Sequence, residues 1–286
     1  MNVPYSSKIA LGSVQFGVNY GISNSYGQTP SAEVSRILES AKFHGIETID
    51  TSYNYGDSES VLGSNPLGMF KIVSKFPFPK EGKTLDGILS ESLQRLNVSS
   101  IYGWLCHEPD QLIAHPFMYS EAKNAKDKGL VSKIGVSVYA PEQLSRIISL
   151  IGIPDIVQVP FNILDRRFES ILVELKLAGT EIHVRSAFLQ GLLLMSPNEL
   201  KPFFQPLKSW LSEFNEAFPS TELKINAALK FCLNHSTIDK TVIGINTSKQ
   251  LETNITALNQ QESSFPPIPT DLPSEIINPS MWPKSN

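Results

Sequence analysis

The chain has 286 residues, 41% of them hydrophobic and 18% charged, and a formal net charge of −4. This balance supports a substantial core, excludes global disorder, and argues against a general nucleic-acid binder, which would carry a basic face. The two cysteines, Cys106 and Cys232, form no CxxC pair, so neither a disulfide framework nor a zinc site is expected.

The N-terminal stretch Met1 to Lys8 has no apolar core of the signal-peptide kind, and no apolar run approaches the about 20 residues a membrane span needs. A cytoplasmic protein without membrane segments is the expectation.

Along the chain, short apolar runs alternate with amphipathic stretches of helical period. Ile9–Gly12 reads as a strand and Ser13–Gly17 as a loop entry, followed by an Asn-, Gly- and Tyr-rich loop from Val18 to Pro30. A helix starts at Pro30–Ser31 with Glu33 in its first turn, repeats Val34, Ile37, Leu38 and Ala41 on one face, and ends at Gly45. Ile46–Asp50 is a strand, Ser58–Leu62 a short helix, and Phe70–Ser74 a strand running into Lys75. Thr84–Leu96 is a helix, Ile101–Cys106 a strand ending at His107, and Pro116–Lys128 a helix closed by Gly129. Lys133–Val136 leads to Ser137, and Pro141–Leu150 is a helix with Pro where it is tolerated. The strand Asp155–Val159 and the helix Arg167–Leu177 come next, then the strand Glu181–Arg185. A less regular section, Phe188–Ser220, holds one helix over Leu207–Phe218. Thr221–Asn234 is a helix, Lys240–Ile243 a strand and Ser248–Leu258 a helix.

Eight strand–helix units in a chain of this length predict a closed (β/α)8 TIM barrel, a single domain over residues 1–260. No G-x-G-x-x-G follows any of the strands, which counts against an open Rossmann sheet. Residues 261–286 form a Pro- and Ser-rich tail that is either disordered or draped over the barrel.

In such a barrel reactive groups gather at the C-terminal ends of the strands. Those ends bring Asp50 and Tyr55, Lys75, His107 with Glu108, Ser137, Gln158 with Asn162, Arg185 with Ser186, and Gly244 with Asn246 and Thr247 to one mouth. A phenol titrates near pH 10 when unperturbed, so Tyr55 alone is a poor acid. An ammonium beside it favours the phenolate; Lys75 is the candidate, Asp50 would hold that lysine, and His107 would orient a carbonyl oxygen. Taken singly each has a plain alternative: Asp50 a cap, Lys75 a solvated lysine, His107 a structural histidine, Tyr55 packing. No metal-ligand cluster stands out.

The stretches Leu11–Gly17, Gly45–Glu59, Ile72–Lys75, Leu105–His107, Ile134–Ser137, Gln158–Asn162, Gln190–Leu193 and Val242–Gly244 together resemble the aldo-keto reductases. The resemblance implies that Asp50, Tyr55, Lys75 and His107 are a catalytic tetrad. It also implies that Gly12, Ser137, Gln158, Arg185, Ser186, Gly244, Asn246, Thr247, Gln250 and Asn254 bind the cofactor, NADP or NAD. Ser137 and Gln158 would hold the nicotinamide carboxamide, and the run from Gly244 to Asn254 the adenosine phosphates. Three positions depart from the pattern: Val138 stands where Asn is usual, Arg185 where an aromatic stacks on the nicotinamide, and Gln250 where an Arg often grips a 2′-phosphate, leaving Lys249 as the basic residue nearby.

The expected function is NAD(P)H-dependent reduction of an aldehyde or ketone, a sugar-type carbonyl included, with Tyr55 as general acid. Two alternatives stay open: an internal-redox or elimination enzyme with tightly held NADP, and a cofactor-binding regulatory subunit. The partner expected is a small carbonyl compound, with no nucleic acid and no membrane; the oligomeric state is open. Outside the tetrad, His44 and His115 read as surface or capping residues, and His183 and Trp104 as packing. The Phe203, Phe204, Trp210, Phe214 and Phe218 group reads as local packing or a substrate wall, and Tyr20 and Tyr26 have the same two readings.

Overall fold

A computed structural model describes residues 5–22, 24–260, 264–269 and 272–283. Eight strands close a barrel in chain order: β1 Ile9–Gly12, β2 Thr48–Asp50, β3 Lys71–Phe76, β4 Ile101–Cys106, β5 Val131–Ser137, β6 Ile156–Pro160, β7 Glu181–Arg185 and β8 Lys240–Gly244. Every neighbouring pair is parallel, and β8 closes on β1. The register sets Gly12 beside both Asp50 and Gly244, and Ser137 beside Gln158. Residues far apart in sequence thereby share one rim.

Alternate strand residues face opposite sides, and here both sides are buried. Ile49, Ile72, Trp104, Val136, Val157, Val184 and Ile243 point outward and pack against helix residues such as Val34, Ile37, Leu89 and Leu229. Val73, Leu105 and Ile156 form a small inner cluster. Toward the other end of the barrel the filling turns polar. The Glu181 carboxylate accepts hydrogen bonds from Tyr102 Oη at 2.6 Å and Lys133 Nζ at 2.5 Å, and lies 2.8 Å from His183 Nε2. Burial alone would raise Glu181, but these partners outweigh it and hold the carboxyl well below its usual range.

Local chemistry sets the element ends. Thr84 caps the helix Leu85–Leu96 by accepting from Gly87 N, and Asn97 ends it in the left-handed region. Differences from the sequence reading lie at boundaries and short helices. Val14–Gly17 is helical where a loop entry is expected, and Pro109–Ala114 adds a short helix ahead of the one expected from Pro116. β2 starts at Thr48, β5 already at Val131, and β3 runs on to Phe76, so Lys75 lies inside its strand. Phe188–Ser220 contains three 3-10 segments and the helix Lys208–Ala217.

A second apolar cluster joins Phe204, Trp210, Phe214 and Phe218 to Ile276, Ile277 and Trp282 of the C-terminal segment. The Trp282 indole donates to Ile276 O at 3.0 Å. The tail reading also covers residues 261–263, 270–271 and 284–286, and the leader reading covers residues 1–4; these lie outside the described residues. Among the described residues no helix is long and apolar enough to cross a membrane, and no group of three or more His, Cys, Asp or Glu is placed to hold a metal ion. Both thiols are free and buried, and burial pushes each up to about 12.

Candidate active site

Asp50 is the last residue of β2, and the loop after it turns at once to present Tyr55. Tyr55 N donates to Ser52 O, and Ser58 N donates to Tyr55 O, both at 3.0 Å. Gly17 clamps this turn from outside: a Cβ there would lie 1.7 Å from Tyr55 O, so only glycine lets the two segments touch.

Lys75 reaches up inside the barrel to meet this loop and is 1% exposed. Its Nζ donates to Asp50 Oδ1 at 2.6 Å and to Thr51 O at 3.0 Å, and lies 3.5 Å from Tyr55 Oη. Burial pushes the Lys75 pKa down while Asp50 opposes it. The remaining Asp50 oxygen accepts from Gln158 Nε2 at 2.7 Å. The carboxylate is thus satisfied on both sides, as a buried charge must be.

Tyr55 does not behave as the sequence suggested. Burial, then the Asp50 charge and Tyr139, push its phenol well above the ordinary value, and Arg185 opposes them only in part. The hydroxyl therefore stays protonated at neutral pH, where the sequence had Lys75 drawing it toward the phenolate. His107 sits edge-on to Tyr55, with ring centroids 5.6 Å apart. Burial, Lys75 and Arg185 push the imidazole down from 6.5 to about 3, so it is neutral. Its Nδ1 lies 3.0 Å from Ser52 Oγ, which leaves Nε2 for a ligand.

These groups floor a cleft of about 740 Å³, within the usual range for small-molecule sites. Asp50, Tyr55 and His107 line it together with Gly12, Ser137, Gln158, Arg185, Ser186, Gly244, Asn246, Thr247, Gln250 and Asn254. Lys75 lies beneath it. Ser137 Oγ donates to Gln158 Oε1 at 3.3 Å, so Ser137, Gln158 and Asp50 form one chain of hydrogen bonds. Val138 is buried in the outer core. Arg185 lies over the Tyr139 ring, 4.2 Å from its centroid, and donates to Val138 O at 3.2 Å. Thr247 caps the helix Ser248–Ala257 by accepting from Gln250 N at 3.1 Å. Asn162 is buried and ties its own loop, accepting from Leu164 N and Asp165 N and donating to Ser186 O.

Several lining residues escaped the sequence reading. Gln15 is one: its Oε1 is buried without a hydrogen-bond partner, and a Cβ on Gly244 would meet its Nε2 at 2.5 Å. Tyr139 was legible only as an aromatic two residues past a strand-end serine. Thr221, Ile225, Pro279 and Ser280 gave no signal at all. Tyr20 and Tyr26 do line the cleft. The Phe204, Trp210, Phe214 and Phe218 rings pack in the second cluster behind the cleft, whose apolar edge is Phe188 and Leu194. His183 is fully buried next to Glu181, while His44 and His115 end helices.

Residues 8–264 match the model of the aldo/keto reductase family. The chain belongs to that family. It is 27% identical, over 147 residues, to 6-dehydroglucose reductase of Novosphingobium aromaticivorans, an alignment covering 44% of this chain and 48% of the relative. The chain thus spans about half the length of that curated relative. Among solved structures it is similar to an aldo-keto reductase from Bacillus halodurans in its holo form, with a TM-score of 0.69, 20% identity, and coverage of 89% of this chain and 87% of the other. It is also similar to the glycerol dehydrogenase of Gluconobacter oxydans, with a TM-score of 0.67, 19% identity, and coverage of 89% and 87%. At these identities the two structures speak for the fold.

Proposed function

We propose that this chain reduces an aldehyde or ketone with a nicotinamide dinucleotide as hydride donor and Tyr55 as proton donor. One observation carries the reading: a buried Lys75–Asp50 pair lies 3.5 Å behind the Tyr55 hydroxyl, beside a neutral His107, at the floor of a cleft. The residues present suit such a cofactor. The cleft's strand ends at Gly12 and Gly244 carry no side chain, and Ser137 and Gln158 offer amide-recognising groups. Gln15 holds a buried carboxamide oxygen with no protein partner.

When bound, the dinucleotide supplies the hydride to the carbonyl carbon. The protein does the rest. Tyr55 gives its phenolic proton to the carbonyl oxygen, and the C=O group becomes CH–OH. Lys75 stabilises the phenolate left behind, and Asp50 fixes Lys75 in place. In its Nε2–H tautomer, with Nδ1 facing Ser52 Oγ at 3.0 Å, His107 donates to the same oxygen and orients the substrate. Solvent then returns a proton to Tyr55.

A polyhydroxylated, sugar-type carbonyl fits best. The outer cleft carries the hydroxyls of Tyr20 and Tyr26 and the amide of Gln190, and 6-dehydroglucose reductase, similar over part of the chain, acts on a sugar skeleton by its name. The test is turnover of Lys75→Met against a panel of hydroxylated and plain aldehydes, with NADH and NADPH. The rate should fall on every substrate, and wild type should prefer the hydroxylated ones. Wild-type turnover in the variant sinks the mechanism; preference for plain aldehydes sinks the substrate class.

A further inference from the structure

Arg185 is the last residue of β7 and lies half-buried in the wall of the cleft. Two contacts fix it. Its guanidinium lies over the Tyr139 ring, 4.2 Å from the centroid, and Nη2 donates to Val138 O at 3.2 Å. Tyr139 is anchored in turn, its N–H donating to Gln143 Oε1 at 3.1 Å. A guanidinium is built for two-pronged recognition of an anion, and here its donors are oriented in advance.

What Arg185 lacks is a counter-charge. Arg36, Arg95, Arg166 and Arg167 each meet a carboxylate, whereas Arg185 meets none among the described residues. The carboxylate that lines the cleft is Asp50, and Lys75 and Gln158 already hold both of its oxygens. A cation taken partly out of water without a partner is costly, and a ligand that brings the opposite charge removes that cost.

The position of Arg185 says which ligand. It shares the cleft with Tyr55 and His107. Burial sets the direction of the shift at each of those two groups, and the Arg185 charge contributes to both, so it lies within electrostatic reach of the pair that would hold the carbonyl oxygen. Resting on the reductase reading above, we infer that Arg185 binds a carboxylate carried by the carbonyl substrate, so that oxo acids and sugar acids are preferred over neutral aldehydes. The carbonyl oxygen meets Tyr55 and His107 while the carboxylate meets the N–H groups of Arg185 that have no protein acceptor. Two anchored ends then fix how the substrate lies, and the hydroxyl-bonding groups of the outer cleft serve its remaining hydroxyls.

Two measurements on the full chain test this, each on wild type, Arg185→Met and Arg185→Lys, with thermal melting to check folding. The first is calorimetric titration with succinate and with inorganic phosphate. Wild type should bind succinate at least about tenfold more tightly than Arg185→Met does, with Arg185→Lys between them, and should bind phosphate more weakly than succinate. The second is kcat/KM for succinic semialdehyde against its methyl ester, with NADH and NADPH affinity titrated alongside. Wild type should favour the acid, and Arg185→Met should shrink the acid-to-ester ratio by about 10- to 100-fold, mainly through KM. A wild-type ratio near one, or a ratio unchanged in folded Arg185→Met, overturns the inference, as does a variant that loses dinucleotide affinity alone. Tighter binding of phosphate than of succinate overturns the assignment to carboxylates. Absence of turnover on every aldehyde, with succinate still held through Arg185, sinks the reductase reading and supports the anion site.

Discussion

The barrel buries two clusters of charge, one at each end. Near the lower end, Glu181 collects Tyr102, Lys133 and His183, and none of them lines the cleft. At the upper end, Lys75 and Asp50 are paired and more deeply buried, with side chains 1% and 6% exposed against 34% for Lys133 and 12% for Glu181. The difference lies in what surrounds them. The upper pair leaves the Tyr55 hydroxyl and His107 Nε2 facing a cavity, whereas the lower cluster meets solvent through Lys133 and lines no cleft. Buried charge alone therefore does not mark a site; buried charge that holds a proton-bearing group against open space does.

The comparison can be broken by removing one member at each end. Lys75→Met should lower kcat about 10²- to 10⁴-fold. It should also leave Asp50 buried with Gln158 as its remaining partner and reduce stability by about 3 kcal/mol, seen in urea melts. Glu181→Leu should reduce stability by about 1–3 kcal/mol, because Lys133 and His183 lose their acceptor, yet leave kcat within about twofold of wild type. A large loss of turnover in that variant would erase the distinction between the two ends.

Two smaller effects sharpen it. Ser52→Ala removes the partner of His107 Nδ1 and should lower kcat/KM by about tenfold or less, with the melting temperature little changed. The last concerns acid. His107 is held at about 3 in the fold against an ordinary 6.5, so the unfolded chain binds more protons between these values. Its contribution to stability is full above the unfolded value and is lost as pH falls toward the folded one. Melting curves taken from neutral pH downward should decline less steeply in His107→Gln than in wild type, by at most about 1.4 kcal/mol per pH unit.

How much of this was legible beforehand follows from distance along the chain. The strands announce themselves as short β-branched runs, and Asp50, Tyr55, Lys75 and His107 stand at or near their ends, so the barrel and the gathering of these four side chains could be read locally. The contacts that tune the site could not. Gln158 meets Asp50 across 108 residues. Arg185 could be seen to replace an aromatic, but its resting place on Tyr139 depends on how β5 and β7 are spaced by β6. The raised Tyr55 pKa has the same origin: burial, which no spacing rule reports, outweighs the opposing Arg185 charge. Pro279 and Ser280 reach the cleft only because Ile276, Ile277 and Trp282 pack beneath the aromatic cluster.

The central claim is that Tyr55 delivers the proton. Single-turnover reduction of a hydroxylated aldehyde by cofactor-loaded Tyr55→Phe, followed by loss of dihydronicotinamide absorbance with cofactor affinity titrated alongside, tests it directly. The account predicts a rate at least about 10²-fold below wild type with cofactor affinity retained; a wild-type rate at retained affinity would contradict it.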